Sequence, residues 1–204
     1  MRRLSLAAFA ALGLLYAAPA SADLVDNFNT ENGGNFAFNY TGFQNFNVTT
    51  GSVDLIGNGN FDIYPGNGLY IDLNGSSGVS GSLASKALIG PGTYTFSFSL
   101  GNNPTPGTPN FVTVAIGSNY TEAFTLAGVQ PLTTIVRTVV VTSAALLTFT
   151  TPASDSDNGG IIIDNISLVT PRAVPEPASV VMLGIAAVGS LLVARRRKAA
   201  PAQV

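Results

Sequence analysis

The sequence predicts an all-β domain, an antiparallel β-sandwich, with an apolar helix at each end of the chain. Short stretches of alternating apolar and polar residues recur between positions 23 and 170, separated by Gly, Asn and Pro. No part of that region shows a sustained helical period. Uncharged apolar runs occur only near the two termini. One domain of about 150 residues is long enough to bury a core of its own.

The clearest strand is GTYTFSFSLG, in which aromatic and hydroxyl side chains alternate. Alternation with a period of two is typical of a strand with one buried face. Tyr94, Phe96, Phe98 and Leu100 are predicted to face the core. The same pattern predicts strands at 69–73, 110–116, 122–126, 133–142, 145–150 and 160–169, with one or two more within 45–57.

The N-terminus predicts a secretory signal peptide over residues 1–22. Arg2 and Arg3 precede an apolar stretch, and Ala20-Ser21-Ala22 fits a cleavage site for signal peptidase. The alternative, an uncleaved membrane anchor, requires a longer apolar run. The mature chain is predicted to begin at Asp23.

The C-terminus predicts a linker over 171–178, a transmembrane helix over 179–194 and a basic cytoplasmic tail over 195–204. As a helix, the uncharged run is about 24 Å long, short for a bilayer core of about 30 Å but within what thinning and snorkelling accommodate. The basic cluster should hold the tail in the cytoplasm and so orient the helix. Its members are Arg195, Arg196, Arg197 and Lys198. A buried core helix and a plain single-span anchor are the alternatives.

Pro175, Glu176 and Pro177 stand directly before this apolar run and its basic cluster. The order of the three features resembles the PEP-CTERM protein-sorting signal. The resemblance implies recognition by an exosortase in a Gram-negative bacterium that makes exopolysaccharide. It also implies an inner-membrane-anchored precursor that is processed and then reaches the cell surface or the extracellular matrix.

The charge of the predicted domain excludes one class of partner. Residues 23–170 contain ten acidic residues and only two basic ones, Lys86 and Arg137, for a net charge near −8. Nucleic acid is therefore an unsuitable partner, whereas divalent cations and neutral sugars are suitable. The chain has no Cys and no His, which excludes disulfides and His-dependent catalysis. The acids form no recognisable glycosidase motif, so we predict a protein that is not an enzyme.

Asp164 is the most unusual acid, because it occurs within the apolar strand GIIIDNISLV. With a period of two, Ile162, Asp164, Ile166 and Leu168 should share a face. A carboxylate on an apolar face is costly unless it is hydrogen-bonded or binds a metal. Asp164 therefore either caps a bend or binds structural calcium, which takes oxygen ligands.

The strand that ends in Asp-Asn-Ile-Ser-Leu, after SVDLIG, YIDLNGSSG and GTYTFSFSLGN, resembles galactose-binding-like jelly rolls. It is especially similar to secreted choice-of-anchor domains and to carbohydrate-binding modules. The resemblance covers about residues 23–169 and implies a jelly-roll fold. It also implies a calcium ion held by Asp164 and an N-terminal acid, for which Glu31 is the candidate although the usual spacing is not kept.

Two loops carry further candidate residues. GNGNFDIYPGNG places Phe61, Asp62 and Tyr64 together, a combination that suits sugar stacking and hydroxyl hydrogen bonds. The alternative is a surface loop with Tyr64 packed into the core. SDSDNGG offers Asp155 and Asp157 as further calcium ligands or, alternatively, as a solvated turn.

The leading functional hypothesis is an exported, non-enzymatic component of the cell surface or matrix that is associated with exopolysaccharide and binds carbohydrate. The second is a purely structural or adhesive protein without a ligand site. The third is a glycan-active hydrolase. Release of sugar products would distinguish the third from the other two, and sugar binding would distinguish the first from the second.

Replacing both Pro175 and Pro177 with Ala is expected to leave unprocessed precursor in the membrane, because the extended recognition peptide is lost. The measurement is immunoblotting of membrane and surface fractions. Normal processing of this double variant would contradict the sorting assignment.

Overall fold

The chain forms a sandwich of two β-sheets, described here from a computed structural model. The structure describes residues 23–102, 109–152 and 159–171. One sheet has six strands and the other has five, and all pairs of strands within them are antiparallel. The predicted all-β sandwich is confirmed. Both predicted terminal helices lie outside the described residues.

Eleven strands and one short 3-10 turn make up the described part of the chain. The 3-10 turn covers Glu31–Gly34. The strands are β1 (Leu24–Asp26), β2 (Phe46–Thr50), β3 (Asp54–Gly57), β4 (Leu69–Asp72), β5 (Ser82–Ser85), β6 (Gly92–Asn102), β7 (Asn110–Ile116), β8 (Tyr120–Leu126), β9 (Gln130–Val141), β10 (Leu147–Thr150) and β11 (Ile161–Val169). No helix in the described ranges is long and apolar enough to cross a membrane.

The order of the strands is that of a jelly roll. The larger sheet, here called sheet A, runs β3-β4-β11-β6-β9, with β1 beside β11, and sheet B runs β2-β5-β10-β7-β8. Strands β4 to β11 pass back and forth between the sheets, except for the hairpin of β7 and β8 within sheet B, so that β4-β11-β6-β9 faces β5-β10-β7-β8. Two interlocked Greek keys give this arrangement. Strands β1 to β3 extend it at one side.

The two ends of the domain meet at the same strand. β1 pairs with the second half of β11, whereas β4 pairs with the first half. The backbone N–H of Thr170 donates a hydrogen bond of 2.9 Å to Asp23 Oδ1. The domain therefore closes on itself between its first and last described residues.

The core lies between the sheets and is filled by the inward faces of the strands. Tyr94, Phe96, Phe98 and Leu100 all pack in it, as their alternation predicts. Phe98 and Phe149 meet edge to face across the two sheets, with ring centroids 5.7 Å apart. Edge-to-face contacts of this kind add to the free energy of burial, which matters in a chain without disulfides.

A second, smaller apolar cluster lies on the outer face of sheet A. Ile56, Tyr70 and Ile162 form it, and Ile63, Tyr64 and Leu132 pack against it. Ile63 and Tyr64 belong to the loop between β3 and β4, which folds back over the sheet. Apolar contacts with the outer face of sheet A therefore help to hold this loop in place.

One expectation about β11 is wrong. Ile162 packs in the outer cluster, whereas Ile166 and Leu168 pack in the core between the sheets, so these residues do not share a face. The register with β6 shifts between Asp164 and Ser167, and Asn165 has a left-handed backbone with a φ of 51°. A bulge inserts one residue and reverses the alternation after it.

Candidate functional site

A segment before β2 extends sheet A at its β3 edge. Ala37 and Leu55 exchange two backbone hydrogen bonds of 2.9 Å, and Tyr40 N donates to Val53 O at 2.8 Å. Ala37 lies opposite a core residue of β3. Because neighbouring residues alternate, Phe36 and Phe38 lie on the side of Asp54 and Ile56, the outer face of the sheet.

Three phenylalanine side chains meet on this outer face. The ring centroids of Phe38 and Phe61 are 4.9 Å apart, and Phe36 lies 5.6 Å from Phe38 and 6.3 Å from Phe61. All three are solvent-exposed, by 37% for Phe36, 42% for Phe38 and 65% for Phe61. An exposed group of three large aromatic rings is typical of a recognition surface.

Phe61 is held in an unusual conformation. Its φ of 50° lies in the left-handed region, which glycine adopts readily but which is unfavourable for a bulky residue such as Phe. Packing in the core does not compensate this backbone strain, because the ring remains exposed. Strained residues of this kind concentrate at ligand sites.

A cavity of about 260 Å³ opens beside these rings. Its aromatic wall is formed by Phe38 and Phe61, and Ile56 contributes to its floor. The polar wall is formed by Asp54, Asp72, Asn74 and Ser76. Asp54 and Asp72 are both buried and lie directly opposite each other on β3 and β4. The cavity thus combines aromatic surface with carboxylate, amide and hydroxyl groups.

Asp54 fastens two loops to β3. Its Oδ1 accepts a hydrogen bond of 2.7 Å from Asn39 N, and its Oδ2 accepts one of 2.5 Å from Ser76 Oγ. Ser76 N adds contacts of 3.1 Å to both oxygens. Asn39 in turn accepts from Ser77 N at 3.0 Å. The rim of the cavity is therefore fixed by a single carboxylate.

Tyr70 fixes the loop that carries Phe61. Its hydroxyl accepts hydrogen bonds from Ile63 N at 2.5 Å and Tyr64 N at 3.0 Å, and it donates to Asp62 Oδ1 at 3.0 Å. Asp62 Oδ2 also accepts from Gly59 N at 3.1 Å. Burial is the main cause that raises the pKa of Tyr70 to about 12, so the hydroxyl keeps its proton at neutral pH.

Tyr64 ties the same loop to the far side of sheet A. The register of β6 and β9 shifts between Leu100 and Asn102, which frees backbone groups from the ladder. The Tyr64 hydroxyl lies 3.0 Å from Asn102 O and 2.5 Å from Gln130 O, and it accepts from Asn102 N at 2.9 Å. A Cβ at Gly101 would lie 2.5 Å from that hydroxyl oxygen, so glycine makes room for it.

The three predicted ligand-binding residues thus have different surroundings. Phe61 lines the cavity, whereas the polar groups of Asp62 and Tyr64 bond within the protein and hold the loop. Sequence analysis missed Phe38, Asp54 and Asp72 as members of the cavity. The alternation Phe36-Ala37-Phe38 in NFAFNY was a signal for an outward-facing aromatic pair, but the pairing of this segment with β3 was not visible in the sequence.

Asp164, the predicted calcium ligand, is completely buried at the bulge of β11. Its oxygens accept hydrogen bonds from Asn165 N at 2.7 Å and Asn165 Nδ2 at 3.0 Å. Burial is the main cause that raises its pKa to about 7, and the nearby charge of Asp26 raises it further. Asp26 lies on the neighbouring strand β1, where its backbone is paired with Ile166.

Glu31, the second predicted calcium ligand, has a different neighbour. Its Oε1 accepts a hydrogen bond of 2.7 Å from Gln44 N, and no contact in the described ranges joins it to Asp164. Across 23–102, 109–152 and 159–171, no group of three or more His, Cys, Asp or Glu side chains is placed to hold a metal ion. Asp155 and Asp157 lie outside those ranges, and calcium at Asp164 stays a prediction.

Comparison with known sequences identifies the C-terminal segment. Residues 173–198 match the PEP-CTERM protein-sorting motif, which confirms the resemblance read from the sequence. The match includes Pro175–Pro177 and the basic cluster 195–198, all outside the described residues. The motif marks the chain as an exported surface protein of the kind that exosortases sort. The roles of its individual residues stay predictions.

Comparison with known structures finds distant similarities. A mosquito-larvicidal Cry4Aa toxin from Bacillus thuringiensis matches 52% of this chain with 12% identity and a TM-score of 0.37, over 20% of the toxin's length. Two variants of a family 29 carbohydrate-binding module match 67% of this chain and 91% of their own, with 16% and 17% identity and TM-scores of 0.35 and 0.33. No curated protein sequence matches the chain.

Replacing Tyr64 with Phe is expected to lower the free energy of unfolding by about 1–2 kcal/mol, because backbone groups of Asn102 and Gln130 lose their partner. Urea denaturation of residues 23–170 measures this. Tyr40→Phe is the matched control, since the Tyr40 hydroxyl has no hydrogen bond in the described ranges. Equal stability of the two variants would contradict a structural role for the Tyr64 hydroxyl.

The buried carboxyl of Asp164 predicts a pH dependence. Its folded-state pKa of about 7 lies above the ordinary value of 3.8, so the folded state favours the protonated form. The stability it contributes is complete below about pH 4 and is lost as the pH rises through 7. The loss should be on the order of 4 kcal/mol.

Denaturation in the presence of a chelator, from pH 4 to pH 8, measures this dependence. Asp164→Asn is expected to flatten the profile, because it removes the titrating group while keeping the shape of the side chain. A slope that is the same in the variant and the wild type would contradict the assignment to Asp164.

Proposed function

We propose that the exported domain binds exopolysaccharide on the surface of its own cell and does so without catalysis. The observation that carries the proposal is the cavity walled by Phe38 and Phe61 on one side and by Asp72, Asn74 and Ser76 on the other. Aromatic rings supply a face on which the apolar side of a sugar ring stacks. Carboxylate, amide and hydroxyl groups supply hydrogen-bond partners for its hydroxyls.

The sorting motif supports the proposal because it indicates where the cavity meets its ligand. A protein delivered to the cell surface meets the polysaccharide that the cell secretes at high local concentration, so a site of modest affinity is sufficient. The cavity is one or two sugar rings in size and opens at the surface of the sandwich. A polymer chain can therefore pass across it rather than end inside it.

The non-catalytic part of the proposal rests on the state of the Asp54 carboxylate. Glycoside hydrolysis requires one carboxyl group that protonates the leaving oxygen and a second that acts as nucleophile or base. Both oxygens of Asp54 already accept hydrogen bonds from Asn39 and Ser76. Asp54 is thus engaged in holding the loops and is poorly placed to protonate a substrate.

A structural calcium ion is a separate part of the proposal. The charge of Asp26, on the neighbouring strand β1, acts on Asp164, whose direct hydrogen-bond partners in the described ranges come from Asn165 alone. A cation would relieve the repulsion between them, and calcium takes such oxygen ligands. For Glu31, the second predicted ligand, to bind the same ion, its oxygen would have to exchange the hydrogen bond from Gln44 N for the metal.

Purified residues 23–170 are expected to bind the producing organism's own exopolysaccharide saturably. Phe61→Ala should weaken binding at least tenfold, since truncation of an exposed aromatic at the centre of an interface typically costs more than 1 kcal/mol. Phe111→Ala, which removes an exposed phenylalanine of sheet B, is the matched control and should bind normally. Isothermal titration calorimetry measures both.

The same experiment separates the other hypotheses. No binding by the folded domain would favour a purely structural or adhesive surface protein. Release of sugar products would favour a hydrolase. Repetition with calcium and with chelator tests the metal, because loss of binding in chelator alone would support calcium at Asp164.

A further inference from the structure

The polar wall of the cavity is strongly acidic for its size. Asp54 and Asp72 are 6% and 3% exposed and face each other across β3 and β4. Among the residues that the structure describes, no Lys or Arg lines the cavity. The two basic residues of the domain have partners elsewhere, since Lys86 Nζ donates to Phe43 O at 2.6 Å and Arg137 pairs with Glu122 at 2.6 Å.

The aromatic wall also favours a positively charged ligand. The faces of aromatic rings carry negative electrostatic potential and attract cations, although Phe does so less strongly than Trp. Phe38 and Phe61 stand at the mouth of a cavity whose opposite wall carries carboxylates. Both walls therefore favour a ligand with a positive charge, and they disfavour uronic acids and sulfated sugars.

Resting on the proposed function, we propose that the cavity selects sugar units that carry a free amine, as in polymers of de-N-acetylated amino sugars. A sugar ammonium group donates three hydrogen bonds and accepts none. The Asp72 carboxylate, whose Oδ1 accepts a hydrogen bond of 2.8 Å from Asn74 N, suits it because each carboxylate oxygen can accept more than one bond. The ring that bears it retains an apolar face for Phe61. An N-acetylated unit lacks the charge and places a bulkier amide in the same space.

The test uses two tetrasaccharides with the same backbone and linkages, one of glucosamine and one of N-acetylglucosamine. The protein is the full chain in lipid nanodiscs, and calorimetry at pH 6 measures both. The glucosamine tetrasaccharide is expected to bind at least tenfold more tightly. The difference should shrink at about pH 9, where such an amine is mostly neutral, and in high salt.

The variant Asp72→Asn tests whether the glucosamine tetrasaccharide binds in this cavity. It should lower affinity for the glucosamine tetrasaccharide about tenfold and change affinity for the acetylated one less than twofold. Asp23→Asn removes the same charge at an exposed position and is the matched control. If Asp72→Asn fails to fold, the wild-type comparison of the two sugars and the two pH values still decides.

Each outcome bears on one proposal or on both. Equal or tighter binding of the acetylated tetrasaccharide would overturn the amine preference and leave carbohydrate binding intact. Failure of both tetrasaccharides, with the native exopolysaccharide still bound, would also overturn only the amine preference. Failure of all three sugars would overturn the proposed function itself.

Discussion

The cavity depends on the hydrogen bonds that the Asp54 carboxylate accepts from two separate loops. Asn39 belongs to the segment that presents Phe38, and Ser76 belongs to the loop after β4, so one side chain positions both walls. The domain has no disulfide and few ion pairs with which to fix loops. Buried acceptors and tyrosine hydroxyls do this instead, and Tyr70 and Tyr64 hold the loop of Phe61 in the same way. Each such bond is worth about 1 kcal/mol, but leaving its buried partner unpaired costs more.

Alternation in the sequence was sufficient to predict most of the sandwich, because half-buried strands repeat with a period of two. The strand NFVTVAI was predicted with its observed bounds, Asn110–Ile116. β1 was missed because its three residues, LVD, are too few to show a period, and β5 because its sequence, SLAS, has a single large apolar residue among small ones. The face of Ile166 and Leu168 was predicted wrongly for a different reason. The bulge at Asn165 depends on pairing with β6, a contact between residues about 65 positions apart, and no local pattern reveals it.

The candidate site was predictable only in part. Phe61 was identified because an aromatic residue in a Gly- and Asn-rich loop has few reasons to be there other than recognition. Its partners come from β3, from β4 and from the segment before β2, so only the fold assembles them. Asp62 and Tyr64 share the loop with Phe61 and, from the sequence, were equally suited to sugars. In the structure, the Tyr64 hydroxyl bonds to the backbone at the β6 bulge, and the Asp62 carboxylate bonds within its own loop. These two polar groups are therefore positioned to stabilise the fold and not to bind a ligand.

Sorting and the proposed recognition belong to different parts of this chain: the motif at 173–198 is a signal for sorting to the cell surface, and the sandwich carries the cavity. The most direct measurement is nuclear magnetic resonance of labelled residues 23–170, titrated with fragments of the producing cell's own exopolysaccharide. The account predicts amide shift changes concentrated in 36–39, 59–62 and 72–76, around Phe38, Phe61 and Asp72. Shift changes confined to sheet B, or none at saturating sugar, would contradict it.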